Sequence, residues 1–292
     1  MNTTMLTDRD IDVIHDVARY YVQNRPQIQR RRFPADPNGR LTRRRLQLLV
    51  EQGFINRQKT LFCHPTASPG PVYYPAQRGC ELLAEHFDDE RYLLTLTQPP
   101  IPHHTWHWLS LATTHGTFDE AVANQSAVKI EAWVNEFEIV NKSESAPEKR
   151  FRLYTLIREN PRLACAPDAA FLLSAYGHSK IFYVEQDRAT SGVQQIANGK
   201  TGGYAGLLTQ NLHLRHFTPS VPAFSVLMIA PSARRRDSLR KAIADKPDAA
   251  LWRFSTESDV TADNVLHTPI WYSCGKEDPD PLVKRKAEET SR

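Results

Sequence analysis

Residues 42–55, TRRRLQLLVEQGFI, decide the fold of the N-terminal part of the chain. The apolar stripe that runs from Leu46 to Val50 predicts an amphipathic helix with Thr42 as its N-cap. Gly53 would end this helix, because glycine adopts a positive φ at little cost, and an alternating strand follows at once. The polar residues predicted on the outside of the helix are Arg43, Arg44, Arg45 and Gln47.

The basic charge of this region is dense, although the whole chain is only mildly basic. Lysine and arginine total 37 against 33 aspartates and glutamates, which gives a net charge of +4. Between Arg25 and Arg45, however, eight arginines face a single acid, Asp36. Such a local field attracts polyanions. The alternative interpretation is an ordinary solvated run of charge that has no partner.

The segments around this helix predict further helices and a hairpin. Thr7 and Asp10 have the spacing of a capping box before the apolar stripe of residues 11–21. Pro26 would end that first helix and open a short second one, PQIQRRR. After the arginine-rich helix, a strand from Ile55, the loop HPTASPGP and the return strand VYYPA predict a hairpin, and QRGCELLAEHF predicts a last helix.

This order of three helices, a hairpin and a helix resembles the winged helix-turn-helix family, and RRRLQLLVEQGFI…GPVYYPAQRG is similar to its recognition helix, wing and following glycine. The resemblance implies that double-stranded DNA is the partner, with the third helix in the major groove and the wing along the backbone. The residues expected to contact DNA are Arg43, Arg44, Arg45 and Gln47 on the helix, and Arg57 and Lys59 in the wing. The alternative is a winged helix that contacts protein only.

The C-terminal part of the chain predicts a mixed sheet covered by helices, in an α/β or α+β arrangement. Strands are expected at CAPDAAFLLSA, KIFYVEQDR, AFSVLMIAP, ALWRFST and PIWYSC, and helices at GVQQIANGKTGGYAGLLTQ and ARRRDSLRKAIAD. The run AFSVLMIAP is almost wholly apolar, as a central buried strand requires. We therefore predict a winged-helix domain over 1–88, a helical linker over 89–126, the mixed-sheet domain over 127–275 and a charged flexible tail over 276–292.

Three carboxylates near the first two of these strands indicate the chemistry of the domain. A hairpin with its turn centred between Gly177 and His178 would place Asp168 opposite Asp187, with Glu185 on the same face. Carboxylates gathered in this way repel one another unless a proton or a cation lies among them. Because Mg²⁺ or Mn²⁺ prefers such oxygen ligands, we predict a divalent metal site made of these three side chains.

A lysine on the following helix is predicted to complete the site. Lys200 shares a stripe with Ile196 and Leu207, the face expected to turn toward the sheet, so its ammonium would reach the carboxylates. There it would orient a water molecule or stabilise charge on a phosphate. The alternative interpretation treats the acids as ordinary hairpin-edge groups paired with Arg188, Lys180 or Lys200.

The order of Asp168, Glu185-x-Asp187 and Lys200 resembles the PD-(D/E)XK nuclease superfamily. More narrowly, PDAAFLL…FYVEQDRATS…K…Y is similar to the replication-relaxation family of plasmid-associated proteins, over about residues 6–231. Carried over, this resemblance implies that Asp168 and Glu185 hold the metal of a DNA endonuclease and that Lys200 is its catalytic lysine. The superfamily's usual lysine, two residues after the glutamate, is Asp187 here, so catalysis would depend on Lys200 having taken its place.

These features predict a cytoplasmic DNA-binding protein of plasmid or mobile-element replication, with a homodimer as one option. Two alternatives stay open, namely a non-catalytic winged-helix regulator whose degenerate nuclease-like domain dimerises or binds a partner, and an adaptor that binds protein. The cysteines form no CxxC pair, which suits a reducing compartment; they are Cys63, Cys80, Cys165 and Cys274. We expect neither a membrane span nor a secretory signal, because no long apolar run is present.

Overall fold

The computed structural model of the protein describes residues 5–59, 70–123 and 125–284. The chain divides into two compact units, Met1–Thr113 and Thr114–Arg292. Both units contain helices and strands, and the larger sheet is mixed. The predicted α+β class with a mixed sheet is therefore confirmed. Within the described ranges, no helix is long and apolar enough to cross a membrane.

The predicted helices and the two predicted strands of unit 1 follow one another in the expected order, and a further short strand lies between the first two helices. The elements are α1 (Asp8–Tyr20), β1 (Gln23–Asn24), α2 (Arg25–Arg32), α3 (Arg40–Glu51), β2 (Ile55–Gln58), β3 (Val72–Pro75), α4 (Gln77–Phe87) and α5 (Thr105–Ala123). Strand β3 lies between β1 and β2 and is antiparallel to both. Most of the predicted hairpin loop lies outside the described residues. Helix α5 contains the division between the units, inside the segment 89–126 predicted as a helical linker.

Helices α1 and α3 of unit 1 begin differently from each other. Helix α1 begins as predicted, since the Asp10 carboxylate accepts hydrogen bonds from the Thr7 amide and hydroxyl, both at 2.7 Å. Helix α3 begins earlier than predicted, with Gly39 as its N-cap. Thr42 is buried inside the helix and donates from its amide and hydroxyl to Asp36, at 2.8 and 2.7 Å. The predicted cap at Thr42 was therefore wrong, because Asp36 of the preceding turn takes that role.

One apolar core joins the helices and the small sheet of unit 1. Leu46 and Leu49, from the stripe that predicted α3, are fully buried in it. Gly53 follows α3 with a φ of +75°, as predicted for the residue that ends this helix. Gly79 allows α4 to approach the start of β2, because a Cβ at this position would collide with the Phe54 carbonyl oxygen.

Unit 2 is built on a six-stranded sheet of order β11-β10-β9-β8-β7-β4. Its elements are β4 (Val128–Asn135), α6 (Pro147–Arg150), β5 (Thr155–Arg158), β6 (Leu163–Cys165), β7 (Ala169–Ala175), β8 (His178–Gln186), α7 (Val193–Thr209), β9 (Phe224–Ala230), α8 (Ala233–Ile243), β10 (Trp252–Thr256) and β11 (Tyr272–Ser273). Strands β8, β9 and β10 are parallel, and the outer pairings are antiparallel. Strands β5 and β6 form a separate ribbon.

Helices α7 and α8 share the main core of unit 2 with the sheet. Strand β9 lies inside the sheet and is buried along its whole length, as its apolar sequence predicted. Two glycines of helix α7 allow the β5–β6 ribbon to lie close against it. A Cβ at Gly206 would collide with the Ile157 side chain, and a Cβ at Gly203 would lie 3.0 Å from the Ala164 carbonyl oxygen.

The β7–β8 hairpin is confirmed, but its register differs from the prediction by two residues. The turn is the two-residue loop Tyr176-Gly177, with φ values of +50° and +82°. Positive φ at both positions is usual for glycine and asparagine but not for tyrosine. The prediction from sequence therefore placed the turn one residue too late. Extended by one residue beyond Ala169 and Val184, this register brings Asp168 next to Glu185 rather than Asp187. A shift of two residues leaves each side chain on its own face, so Asp168 and Glu185 still point the same way.

Candidate functional site

The side chains of Asp168, Glu185 and Lys200 meet beside helix α7. The Lys200 Nζ lies 2.7 Å from the Glu185 Oε2 and 3.8 Å from the Asp168 Oδ1. It also donates a hydrogen bond to the Ala166 carbonyl oxygen at 3.1 Å. The structure thus brings together the three residues that the sequence singled out. Their catalytic roles stay predictions.

Glu185 has a second partner on the same helix. The Tyr204 hydroxyl donates to the Glu185 Oε1 at 2.6 Å, and both side chains are buried. Tyr204 belongs to the family pattern quoted above, but the sequence alone assigned it no contact. Its spacing of four residues from Lys200 places both on one side of α7, and this spacing was the available signal. Together Lys200 and Tyr204 bind both carboxylate oxygens of Glu185.

Burial dominates the electrostatics of this site. Glu185 is 3% exposed, and its burial raises the pKa of Glu185 to about 7, with Lys200 opposing the rise and Asp168 adding to it. Burial also disfavours the charged form of Lys200. The carboxylates of Glu185 and Asp168 outweigh that effect and raise the pKa of Lys200 above its usual range. The lysine is therefore cationic, whereas Glu185 exchanges protons near neutral pH.

Asp187, the third predicted metal ligand, lies apart from this cluster. Its carboxylate accepts hydrogen bonds from the Arg235 Nε and Nη2, at 2.7 and 3.2 Å, and from the Ala189 amide at 3.0 Å. Arg235 also donates to the Ser191 carbonyl oxygen at 2.7 Å. Asp187 therefore stabilises the loop before α7, directly through Ala189 and indirectly through Arg235. Among the described residues, the predicted set of three carboxylates does not bring its oxygens within 4.8 Å of one another.

The donors that remain fit a divalent cation only in part. Mg²⁺ is commonly held by one or two carboxylates together with water and substrate phosphate, and Asp168 and Glu185 can supply the carboxylates. The Lys200 ammonium, however, lies where their oxygens converge, at 3.8 and 2.7 Å. A metal ion would bind there only if this ammonium turned away.

The other basic residues considered as partners for the acids lie elsewhere. Arg188 pairs with Glu257 at 2.8 Å, and the Lys180 ammonium lies 5.6 Å from the centre of the Phe182 ring. Lys200 is thus the candidate that the structure places in direct contact with Glu185. The ion-pair interpretation is correct for this lysine, whether or not the pair also serves catalysis.

The arginine-rich stretch of unit 1 divides into an inner and an outer group. In the inner group, Arg32 binds Asp16 through two hydrogen bonds of 2.6 and 2.5 Å, and Arg31 lies 3.8 Å from the same carboxylate. Arg45 forms a salt bridge with Asp10 and keeps 16% of its side chain exposed. Arg45 was predicted on the outside of α3, in contact with DNA. The structure instead turns it toward the buried acid of α1.

The outer group consists of arginines that are exposed and have no carboxylate partner in the described part of the chain, namely Arg30, Arg40, Arg43 and Arg44. Gln47 is exposed too and donates to the Glu51 Oε1 at 2.8 Å. Arg57 and Lys59 are exposed at β2 and just after it. With the exception of Arg45, the residues predicted to contact DNA are therefore accessible from solvent.

A protein-family model described as replication-relaxation matches residues 14–220. The match begins inside α1 and extends past Lys200 and Tyr204, so it includes both charged regions and well over half of the 292 residues. Searches of curated proteins and of solved structures returned no significant match.

Proposed function

Since the chain belongs to the replication-relaxation family, which gives it a role connected with replication, we propose that it acts by binding double-stranded DNA through helix α3. The proposal depends most on one observation, the exposed arginines of α3 that lack a carboxylate partner within the described ranges, Arg40, Arg43 and Arg44. Charge that no internal acid neutralises attracts an external polyanion.

The architecture of unit 1 supports DNA as that polyanion. Three helices followed by an antiparallel hairpin and a further helix have the order of a winged helix, in which the third helix enters the major groove. The planar guanidinium of arginine binds phosphates and guanine edges through paired hydrogen bonds. Arg57 and Lys59 lie at the hairpin, where they would contact phosphates next to the groove.

Neutralising the outer arginines tests this proposal. We expect the double variant Arg43→Gln/Arg44→Gln to bind a short DNA duplex about tenfold more weakly or worse, and its salt dependence to fall by about two phosphate contacts. Fluorescence anisotropy across a salt series measures both quantities. Arg91→Gln is the control, because Arg91 is 83% exposed in unit 1 and pairs with Asp89. Equal affinity in the double variant would favour the protein-binding adaptor instead.

A second function, metal-dependent hydrolysis of a phosphodiester, is favoured by the convergence of Asp168 and Glu185 on Lys200. Asp168 and Glu185 would hold Mg²⁺ or Mn²⁺, and such an ion, when bound, activates water and shields phosphate charge. Lys200 would turn from the carboxylates toward the scissile phosphate and stabilise its negative charge. Tyr204 would keep Glu185 oriented through its hydrogen bond to Oε1.

Incubation with supercoiled plasmid and Mg²⁺ or Mn²⁺ tests this second function. We expect the wild-type protein to nick the plasmid and Glu185→Gln to leave it intact, with unchanged DNA affinity. No nicking by the wild-type protein with either ion would leave the alternative, a DNA-binding regulator whose unit 2 dimerises or binds a partner. The molar mass in solution, measured by light scattering, then tests dimerisation directly.

A further inference from the structure

A groove of about 350 Å³ lies between α2 and α3 on unit 1. Three arginines, Arg25, Arg30 and Arg43, line it together with Gln29 and Asn38, and none of the described carboxylates belongs to its lining. We propose that this groove binds one backbone phosphate of the DNA and so fixes the position of α3 on the duplex. The inference rests on the proposed DNA binding and deepens it. It adds a phosphate site on α2 to the exposed row of α3, by which we mean Arg40, Arg43 and Arg44.

Arg25 is held in place for such a ligand. Its Nη1 donates to the Gln29 Oε1 at 3.1 Å, and the Gln29 Nε2 donates to the Asp36 carbonyl oxygen at 2.6 Å. The two oxygens that accept these hydrogen bonds, an amide oxygen and a backbone carbonyl oxygen, are uncharged. They therefore do not neutralise the positive charge of the Arg25 guanidinium. A guanidinium whose geometry is fixed in advance loses less conformational entropy when it binds a phosphate.

Gly39 makes this arrangement possible. It has a φ of +64°, and a Cβ built at Gly39 would collide with the Arg25 guanidinium and lie 2.6 Å from the Gln29 Oε1. Any larger residue at this position would therefore push Arg25 out of its place. Gly39 therefore serves the turn between α2 and α3 in two ways. It adopts a positive φ without strain, and its missing side chain leaves space for the Arg25 guanidinium.

The groove is continuous with the outer surface of α3. Arg43 lines the groove and belongs to the exposed row of α3, so a phosphate bound in the groove would lie beside the residues that face the bases. The neighbouring Arg31 and Arg32 do not join this site, because both bind Asp16. An acidic peptide is the competing occupant. DNA is favoured because the regular spacing of its phosphates allows the groove and the exposed arginines to be occupied together.

The test compares Arg25→Gln, Arg30→Gln and their double variant with the wild-type protein. A phosphate contact carries no sequence information, so each single change should weaken binding about three- to tenfold on every duplex and lower the salt slope by about one contact. Arg25→Lys should recover only part of the loss, because lysine keeps the charge without the paired donors. Arg91→Gln again serves as the control, and thermal unfolding followed by circular dichroism confirms that each variant folds.

Gly39→Ala adds a further arm, because it displaces Arg25 without changing the charge of the protein; it also strains the backbone at the N-cap of α3, so it is read together with Arg25→Gln. It should weaken duplex binding in the same direction as Arg25→Gln. If the Arg25 and Arg30 variants bind duplex like the wild-type protein while Arg43→Gln/Arg44→Gln binds weakly, the inference is overturned and DNA binding stands. If the wild-type protein binds no duplex, both fail. Loss of binding to polyglutamate, with duplex binding unchanged, would assign the groove to an acidic protein and also overturn it.

Discussion

Helix α3 of unit 1 and the Glu185 site of unit 2 both concentrate charge, but they arrange it in opposite ways. Arg43 and Arg44 are exposed, and no carboxylate of the described chain pairs with them. Glu185 is buried and bound by Lys200 at 2.7 Å and Tyr204 at 2.6 Å. Water stabilises an exposed charge, whereas a buried charge needs a partner in the protein. A ligand can therefore approach α3 directly, but a ligand of Glu185 must compete with internal partners.

Arg45 gives the sharpest test of this comparison, because it lies on α3 and yet is paired internally. Its partner Asp10 is buried and also accepts the capping hydrogen bonds from Thr7. We expect Asp10→Ala to lower the free energy of unfolding by about 3–5 kcal/mol, since it leaves Arg45 without a partner and removes the cap. Urea denaturation measures the loss. Asp8→Ala, an exposed acid on the same helix, should change stability by less than about 0.5 kcal/mol.

Lys200 provides the corresponding test in unit 2. Lys200→Met removes the ammonium that contacts the Glu185 and Asp168 carboxylates, and we expect a loss of about 2–3 kcal/mol. This is less than for a fully buried pair, because 34% of the Lys200 side chain is exposed and solvent screens its charge. Lys241→Met, on the exposed side of α8, is the matched control. Equal stability of the two variants would show that the charges of the site do not support the fold.

The sequence predicted both regions to the extent that local patterns fix them. Helical periodicity predicted α3 and the side of α7 that carries Lys200, and the alternation of strand residues predicted that Asp168 and Glu185 share a face. That second prediction survived the wrong register, because an error of two residues preserves the faces. The register itself was missed because the turn contains Tyr176 at a positive φ, which residue preferences do not indicate.

Pairings between distant residues could not be predicted in this way. Arg45 looks like a surface residue when α3 is considered alone, and its partner Asp10 lies 35 positions earlier. Asp187 has the spacing of a third metal ligand, but Arg235, 48 positions later, binds it. In both cases the deciding contact comes from another helix. Sequence spacing within one element carries no information about such a contact.

Two buried groups of unit 2, Glu185 and His216, should make the free energy of unfolding depend on pH in opposite directions. Burial raises the pKa of Glu185 from 4.5 to about 7, so the free energy of unfolding falls as the pH rises through this range. Burial, together with Arg215, lowers the pKa of His216 from 6.5 to about 3, so stability is lost as the pH falls below 6.5. Between pH 5 and 7 the two contributions are each about 2 kcal/mol and nearly cancel.

Variants separate these two contributions, and urea denaturation at pH 5, 6 and 7 is the measurement. As the pH rises from 5 to 7, the free energy of unfolding of Glu185→Gln should increase by about 2 kcal/mol. That of His216→Asn should decrease by a similar amount. The opposite slopes are the readout, because either substitution also shifts stability by a constant. DNA affinity should not follow these slopes, since Glu185 and His216 belong to unit 2 and the proposed DNA contacts belong to unit 1. Parallel slopes in the two variants would contradict the assignment.

The smallest predicted effect concerns the rigidity of the helix that carries Lys200. Gly199 lies inside α7, and a Cβ there would meet no atom within 4 Å. Gly199→Ala should therefore stabilise the protein by about 0.5–1 kcal/mol, because alanine loses less backbone entropy in a helix. Gly206→Ala is the matched contrast in the same helix, since its Cβ would collide with Ile157 and lower stability.

The plasmid-nicking assay also tests whether the stiffer helix of the Gly199→Ala variant affects the proposed hydrolysis. If the protein hydrolyses DNA with a metal ion as proposed, Lys200 must turn away from Asp168 and Glu185 when that ion binds, by moving either its side chain alone or the adjoining turn of α7 as well. If the side chain alone moves, Gly199→Ala will be more stable and nick plasmid at the wild-type rate. If the turn must deform, the same substitution will be more stable but slower. A Gly199→Ala variant that is less stable than the wild-type protein would contradict the placement of this glycine in an open, regular stretch of helix.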